Sequence, residues 1–259
     1  MSDLLDFLLR PLHLAAFCFA LVVALYIAGK AYQKKRKAIA QRNAQPQSTE
    51  SLTQVNIGAQ ELAAHIINAA TTSNGIQIEV ALASISAYAG YICQASIRKE
   101  MVEGRGMAEN SAFAVFTAPN GQRYFFGDLL NKVVAEAELS IWGMATDAVA
   151  LLGAPITVDV TEIFKHVTAT IGSDQFGIPR IPAGHSIGDT PLLSYAQEWQ
   201  IWQPLLDQYC TSPKQWALLM GYAIHEVILH SNGLIDPNIA LRIVMECAIP
   251  MSKVDLTSV

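Results

Sequence analysis

An apolar run occupies residues 12–29 of this 259-residue chain and reads LHLAAFCFALVVALYIAG. A helix rises about 1.5 Å per residue, so the run covers roughly the hydrocarbon thickness of a bilayer. Six basic residues follow it: Lys30, Lys34, Lys35, Arg36, Lys37 and Arg42. We therefore predict a short N-terminal segment over residues 1–11, a single transmembrane helix over 12–29, and a basic juxtamembrane stretch with a polar linker over 30–56.

The basic residues also predict the orientation of this helix, because positively charged flanks of membrane helices remain in the cytoplasm. We expect a single-pass membrane protein with its N-terminus outside and its C-terminal domain in the cytoplasm. Residues 12–37 are expected to contact membrane lipid, and each basic residue near the surface adds about 1 kcal/mol of attraction to anionic headgroups.

A cleaved signal peptide is the alternative, and it would place the remaining chain outside the cytoplasm. Signal peptides carry their basic residues before the apolar run, whereas here Asp3 and Asp6 outnumber the single Arg10. Residues 28–30 (AGK) also make a poor cleavage site. Both features favour an uncleaved anchor.

Charge is distributed unevenly along the chain. Of the 17 Lys and Arg residues, seven lie in residues 1–42, which contain two of the 22 Asp and Glu residues. Residues 43–259 therefore carry ten basic and twenty acidic side chains, a formal net charge of −10. Binding to a nucleic-acid backbone requires concentrated positive charge, so we expect no nucleic-acid partner.

The cysteines indicate a reducing compartment. Cys93, Cys210 and Cys247 lie in apolar helical contexts, Cys18 lies in the apolar run, and none of the four has CxxC spacing. Free cysteines in such contexts behave as small hydrophobic residues. A disulfide framework is therefore not expected.

Residues 57–259 are predicted to form one acidic, mainly α-helical domain. Its first helices are expected over residues 58–70 and 77–101. The second is apolar and rich in small residues, which suits close packing between helices. A second membrane span is the alternative, and Glu79 and Gln94 count against it.

A β-hairpin is predicted over residues 112–127. The β-prone runs FAVFT (113–117) and RYFF (123–126) flank PNG (119–121). Asn-Gly between two such runs is a strong hairpin signal, because both residues tolerate positive φ.

Helix signals continue after the hairpin. Asp128 is expected to cap one long helix, because apolar residues recur at helical spacing from Leu130 to Leu151 before Gly153 and Pro155. Four more helices are predicted from their start signals, with Pro250 ending the last. These signals are Asp159 with Glu162, Thr190-Pro191, Ser212-Pro213 and Asp236-Pro237.

Residues 184–188 read GHSIG, which resembles the nucleophile elbow of lipases and other α/β-hydrolases. The resemblance covers five residues and implies that Ser186 is a nucleophile on a strand-to-helix turn. An acid and then a histidine follow the serine in that family, and Asp207 with His225 or His230 supplies this order.

The same motif has a structural interpretation. Pro179 and Pro182 precede it and exclude a central strand. The upstream sequence predicts helices and one hairpin, whereas an α/β-hydrolase requires several parallel strands. A loop rich in Gly and Pro, leading to the helix at Thr190, is therefore favoured.

Residues 225–230 read HEVILH, one residue longer than the zinc-peptidase motif H-E-x-x-H. His225 and His230 are five residues apart, so they point about 140° away from each other on a helix. Glu226 and His230 share a face. We expect a hydrogen-bonded core pair, with His225 reaching a neighbouring helix; an acid–base or metal site is the alternative.

The long irregular loop over residues 173–190 is the preferred candidate for a binding surface, because long loops with apolar residues are often functional. Tryptophans farther along could line an aromatic partner-binding groove, with core packing as the alternative. The candidate binding residues are Phe176, Ile178, Ile181, Trp199 and Trp202.

The sequence therefore predicts a membrane-anchored, non-enzymatic protein-interaction module, acting as a subunit, adaptor or inhibitor with an unidentified protein partner. The alternative is a membrane-tethered hydrolase that uses Ser186 or a site formed by His225, Glu226 and His230. No cofactor and no metal site are predicted.

Overall fold

The computed structural model of the protein describes residues 49–256. The predicted transmembrane helix over residues 12–29 and the basic residues after it lie outside this range, so they stay predictions. Within the range most residues are helical, and the strands form two antiparallel hairpins. The mainly α-helical class and the hairpin within residues 112–127 are confirmed, and a second, very small hairpin over residues 71–76 is added.

The elements follow one another along the chain as α1 (Thr49–Ala69), β1 (Thr71–Thr72), β2 (Gly75–Ile76), α2 (Ile78–Ile97), α3 (Glu109–Ala112), β3 (Ala114–Thr117), β4 (Arg123–Phe126), α4 (Asp128–Asn131), α5 (Ile141–Leu151), α6 (Val160–Thr170), α7 (Leu192–Gln197), α8 (Gln203–Tyr209), α9 (Lys214–His230) and α10 (Pro237–Met251). π-Helical turns extend α2 over Arg98–Glu103 and α4 over Lys132–Glu136. A 3-10 turn over Trp199–Trp202 joins α7 to α8.

Helix α2 lies at the centre of this arrangement. Eighteen of its twenty residues are buried, and α1, α7, α9 and α10 pack around it. The helix and its π-helical extension, Ile78–Glu103, are long and apolar enough to cross a membrane, yet 94% of the apolar window is buried inside the domain. A helix that is hydrophobic on all sides suits the core of a domain, which is where the structure places it.

Helices α2 and α10 approach each other very closely at Gly90. A Cβ atom added to Gly90 would lie 2.2 Å from the backbone oxygen of Ala248 and 3.0 Å from the backbone nitrogen of Ser252. Only glycine allows this separation, because any side chain would overlap the neighbouring backbone. The contact brings the C-terminal end of α10 directly onto α2.

The chain after α10 runs beside the predicted hairpin and pairs with it through an isolated β-bridge. Val254 forms an antiparallel bridge with Tyr124 of β4, and the Phe125 N–H donates to the carbonyl oxygen of Lys253 over 2.7 Å. The buried side chain of Gln94 on α2 donates from Nε2 to the carbonyl oxygens of Ser252 (2.8 Å) and Val254 (3.0 Å). Buried backbone groups need such partners, so Gln94 fixes this segment.

The predicted single helix from Asp128 to Leu151 is wrong. The chain turns between Glu136 and Ile141, with Ala137 in an extended conformation. Ser140 then caps α5, because its hydroxyl accepts a hydrogen bond from the Gly143 N–H. A serine at the N-cap position favours the start of a new helix, because its hydroxyl accepts a hydrogen bond from a backbone N–H of the first turn that has no partner within the helix.

The start of α1 also differs from the prediction. The helix includes residues 49–56, which the sequence assigns to the linker. Val55 is fully buried, and Gln215 of α9 donates from Nε2 to the Ser51 hydroxyl over 2.5 Å. Packing against α9 therefore extends the helix beyond its local signals.

The later start signals are confirmed in part. The carboxylates of Asp159 and Asp236 cap α6 and α10 by accepting backbone N–H bonds. Residues 190–210, expected to hold one helix, are divided between α7, the 3-10 turn and α8. Pro250 lies in the last turn of α10, which continues one residue further, to Met251.

Lys253 carries a positive charge into the core. Its side chain is almost fully buried, with Nζ 3.4 Å from Asn131 Oδ1 and 5.4 and 5.5 Å from the ring centroids of Phe164 and Phe126. Burial lowers the pKa of Lys253 to about 8, because removing the ammonium group from water disfavours its charged form. The folded protein therefore holds this proton less tightly than the unfolded chain.

We expect Gly90→Ala to lower the free energy of unfolding by about 2–3 kcal/mol, because the two helix backbones must separate. Gly221→Ala in α9 is the matched control: its added Cβ would meet the side chain of Met144 at 3.1 Å, and a methionine side chain can move. Urea denaturation measures both. Equal effects for the two variants would contradict the rigid contact at Gly90.

The buried lysine predicts a particular pH dependence. Between pH 8 and the ordinary lysine pKa of 10.5, the unfolded chain binds more protons at Lys253 than the folded protein, so the stability of the native chain should rise relative to Lys253→Met. The total relative change should approach about 3 kcal/mol.

Urea denaturation of both proteins at several pH values from 7 to 10.5 measures this difference. Cysteines and tyrosines titrate in both proteins, so subtraction removes their contribution. Parallel stability profiles would show that Lys253 titrates normally in the fold.

Candidate functional site

The loop over residues 173–190, which the sequence singles out, is fixed to the domain by Arg180. Arg180 Nη2 donates to Glu246 Oε1 over 2.7 Å, and Arg180 Nη1 donates to Glu162 Oε1 over 2.5 Å. The Glu246 side chain is 1% exposed, so this is a buried charge with a defined partner. The guanidinium holds the pKa of Glu162 below its usual range through its hydrogen bonds.

A second side-chain contact holds the loop nearer its end. His185 Nδ1 lies 3.1 Å from Glu79 Oε1 at the start of α2, and both side chains are about one-quarter exposed. The loop is therefore attached to α6 and α10 through one residue and to α2 through another. Between these two points the chain is exposed at residues 182–184, and the His185 N–H donates to the carbonyl oxygen of Pro182 over 3.2 Å.

An apolar groove of about 560 Å³ forms between this loop, the β3–β4 hairpin and the start of α7; we call it the loop groove. Its lining is mainly apolar, with Asn120, Gln122 and Asp189 among the polar residues that line it. The principal apolar lining residues are Tyr124, Phe176, Ile178, Ile187, Met251 and Val254. Concave apolar sites with a few polar groups are typical of ligand and partner binding.

The structure brings two of the predicted binding residues together in the loop groove. Phe176 is half-buried and packs edge-on against Tyr124, with ring centroids 4.9 Å apart. Ile178 leaves 54% of its surface exposed. Ile181 belongs to the same loop but packs half-buried against the core and is not among the residues that line the groove.

The predicted tryptophans lie elsewhere. Trp199 packs against Tyr91 and Trp216, with centroids 5.6 and 6.2 Å apart, and lines a different cavity of about 910 Å³. Trp202 packs edge-on against Tyr88 at 5.7 Å. Both are half-buried and pack mainly on α2, as expected for aromatic residues at the margin of a core.

Ser186 is an exposed loop residue. Its hydroxyl accepts a hydrogen bond from the Gly188 N–H over 3.2 Å, and the neighbouring His185 contacts Glu79. Gly184 and Gly188 have positive φ values of 91° and 80°, which explains why glycines flank this turn. Within residues 49–256 no parallel sheet leads into the motif, so the context of a nucleophile elbow is absent there.

The residues proposed to complete a triad do not converge on Ser186 through any hydrogen bond of the described chain. Asp207 accepts a hydrogen bond from Gln203 Nε2 over 2.8 Å within α8. His225 Nε2 lies 3.2 Å from Asp147 Oδ2 of α5. The expected contact of His225 with a neighbouring helix is therefore confirmed, and its partner is a carboxylate.

Glu226 and His230 do not form the expected side-chain pair. His230 Nδ1 lies 2.9 Å from the backbone carbonyl oxygen of Glu226, one helical turn earlier, and His230 is exposed. The C-terminal end of α9 reaches the surface, so these residues are not in the core. Across the described part of the chain, no group of three or more His, Cys, Asp or Glu side chains is arranged to hold a metal ion.

No known protein family, curated protein or solved structure matches this chain. The sequence predicted that the loop is a binding surface. It did not predict the ion pair between Arg180 and Glu246, or that Met251 and Val254 line the groove. The one arginine of the loop, which lies among Ile178, Pro179, Ile181 and Pro182, was the available signal, since a charge in an apolar stretch needs a partner.

Removing the charge of Arg180 should release the loop. We expect Arg180→Gln to lower the free energy of unfolding by about 2–4 kcal/mol, because the buried carboxylate of Glu246 loses its closest charged partner. Arg242→Gln is the matched control, since Arg242 Nη1 lies farther from the same carboxylate, at 3.6 Å.

Urea denaturation and limited proteolysis within residues 173–190 measure this effect. Arg180→Gln should be cleaved faster in the loop than the native protein and than Arg242→Gln. Similar stability and cleavage for the two variants would contradict the assignment of Arg180 as the attachment point.

Proposed function

We propose that the protein is a membrane-anchored, non-enzymatic interaction module that presents an acidic helical domain at the cytoplasmic face of a membrane. It would act as a subunit, adaptor or inhibitor. The loop groove is the observation that carries the proposal. Its apolar lining, its exposed Ile178 and its fixed loop together suit the binding of an apolar side chain from a protein partner.

Preorganisation of the loop supports this role. The ion pair of Arg180 with Glu246 and the contact of His185 with Glu79 hold the groove wall without a bound partner. A partner therefore would not have to order the loop, and the conformational entropy cost of binding is reduced. A preordered groove wall therefore suits the binding of a protein partner, and binding of this kind needs no catalytic group.

The sequence supports the membrane part of the proposal. The apolar run over residues 12–29 has the length of a bilayer span, and its basic flank predicts a cytoplasmic domain. The acidic character of residues 43–259 would limit attraction of the domain to anionic lipid, so the groove would be available to a protein.

The hydrolase alternative lacks a supporting observation. Within residues 49–256, Ser186 has no histidine among its hydrogen-bond partners, and the side-chain partner of His225 is Asp147. A triad needs the nucleophile and its base within hydrogen-bond reach. We therefore prefer the interaction module.

Affinity capture of the full-length protein from its native membrane, with crosslinking in cells and mass spectrometry, tests the proposal. We expect a stoichiometric partner that is lost with Ile178→Asp, because a carboxylate in the groove disfavours an apolar side chain there. Ile201→Asp is the matched control, since Ile201 is similarly exposed, at 57%, outside the loop groove.

Retention of the partner by Ile178→Asp would show that the loop groove is not its binding site. Recovery of the protein alone, or only with itself, would overturn the interaction module as a whole.

A further inference from the structure

A second groove lies between α5, the turn before it and α9; we call it the acidic groove. Its volume is about 830 Å³, and it shares no residue with the loop groove. Leu139, Trp142, Ile156 and Tyr222 form its apolar part. Leu139 and Ile156 are 52% and 41% exposed, so this apolar surface is left uncovered by the domain.

All the charged residues that line this groove are acidic: Glu136, Glu138 and Asp147. Within residues 49–256, Glu136 and Glu138 form no ion pair, although Glu136 lies near enough to interact with the buried Lys253. Asp147 contacts His225 and still leaves 64% of its side chain exposed. The groove therefore combines uncovered apolar surface with carboxylates available to a cation.

The arrangement of these acids does not favour a bare metal ion. No three His, Cys, Asp or Glu side chains of the described residues converge to hold a metal ion. Anionic lipid is also disfavoured, because like charges repel. The arrangement suits a ligand that has both an apolar face and several separated positive charges.

We propose that the acidic groove binds a basic amphipathic helix of a partner protein. The apolar face of that helix would pack on Leu139, Trp142, Ile156 and Tyr222, as in other helix-in-groove complexes. Its Lys or Arg side chains would pair with the carboxylates, and Trp142 offers an aromatic face for an additional cation–π contact. A bound β-strand is disfavoured, since no strand of the described chain borders the groove.

Site-specific photo-crosslinking tests this inference in the full-length protein. A benzophenone amino acid at position 139 is exposed to a synthetic amphipathic helix of Leu and Lys, of about 18 residues and so about 27 Å long. The same label at position 201 controls for binding to detergent or to other surfaces. We expect saturable crosslinking at position 139 and little at position 201, and weak crosslinking at both to the matching Leu/Glu helix.

Charge reversal provides the second arm. Glu138→Lys combined with Asp147→Lys should raise the peptide concentration for half-maximal crosslinking about tenfold, at about 1.4 kcal/mol for the two charges. Asp174→Lys combined with Glu198→Lys is the matched control: it reverses two exposed acids outside the acidic groove and should leave crosslinking unchanged. Circular dichroism establishes that each variant folds.

Equal crosslinking at positions 139 and 201, equal labelling by the Leu/Glu helix, or no effect of the double charge reversal would each overturn the inference. These outcomes leave the loop groove untouched, because partner capture through Ile178 depends on different residues. A failure here is therefore distinguishable from a failure of the proposed function.

Discussion

The close approach of α2 and α10 at Gly90 is the contact on which the rest of the fold depends. With the backbone of Ala248 against Gly90, the end of α10 is directed along α2, and the chain after it reaches Gln94. Gln94 then satisfies two carbonyl groups of that segment, which forms a β-bridge with β4. Met251 and Val254 line the loop groove, and their positions follow from this arrangement of α10 and the segment after it. The central packing contact and the candidate binding surface are thus parts of one structure.

Buried charged side chains are the second feature that determines where the irregular segments of the chain lie. Arg180 brings an otherwise irregular loop onto the domain because Glu246, 1% exposed, needs a cationic partner. Lys253 shows the opposite case, a buried cation near amide and aromatic groups, whose lowered pKa reports the cost of its burial. Each buried charge lies in or contacts a segment with little regular secondary structure. Arg180 belongs to the loop over residues 173–190, and Lys253 belongs to the segment after α10. A loop forms one wall of the groove, and Arg180 attaches that wall to α6 and α10.

Local signals predicted the features that depend on neighbouring residues. The hairpin within residues 112–127 and the caps at Asp159 and Asp236 required only turn and capping chemistry. Helix α1 extends earlier than predicted because α9 packs against it, and the break at Ser140 overrides a continuous apolar pattern. At the candidate site, Phe176 was predictable from its loop, whereas the groove needs residues distant in sequence. No local pattern reports such contacts.

Residue-resolved hydrogen exchange of the full-length protein tests most directly whether the loop groove is a rigid part of the core. The account predicts that the amide of Phe125, bonded to Lys253, exchanges as slowly as the amides of α2. It also predicts protection of the Arg180 amide, which donates to the Glu246 carboxylate over 3.3 Å, above that of other loop amides in residues 173–190. Exchange of both amides at the rate of unprotected loops would contradict a preformed groove.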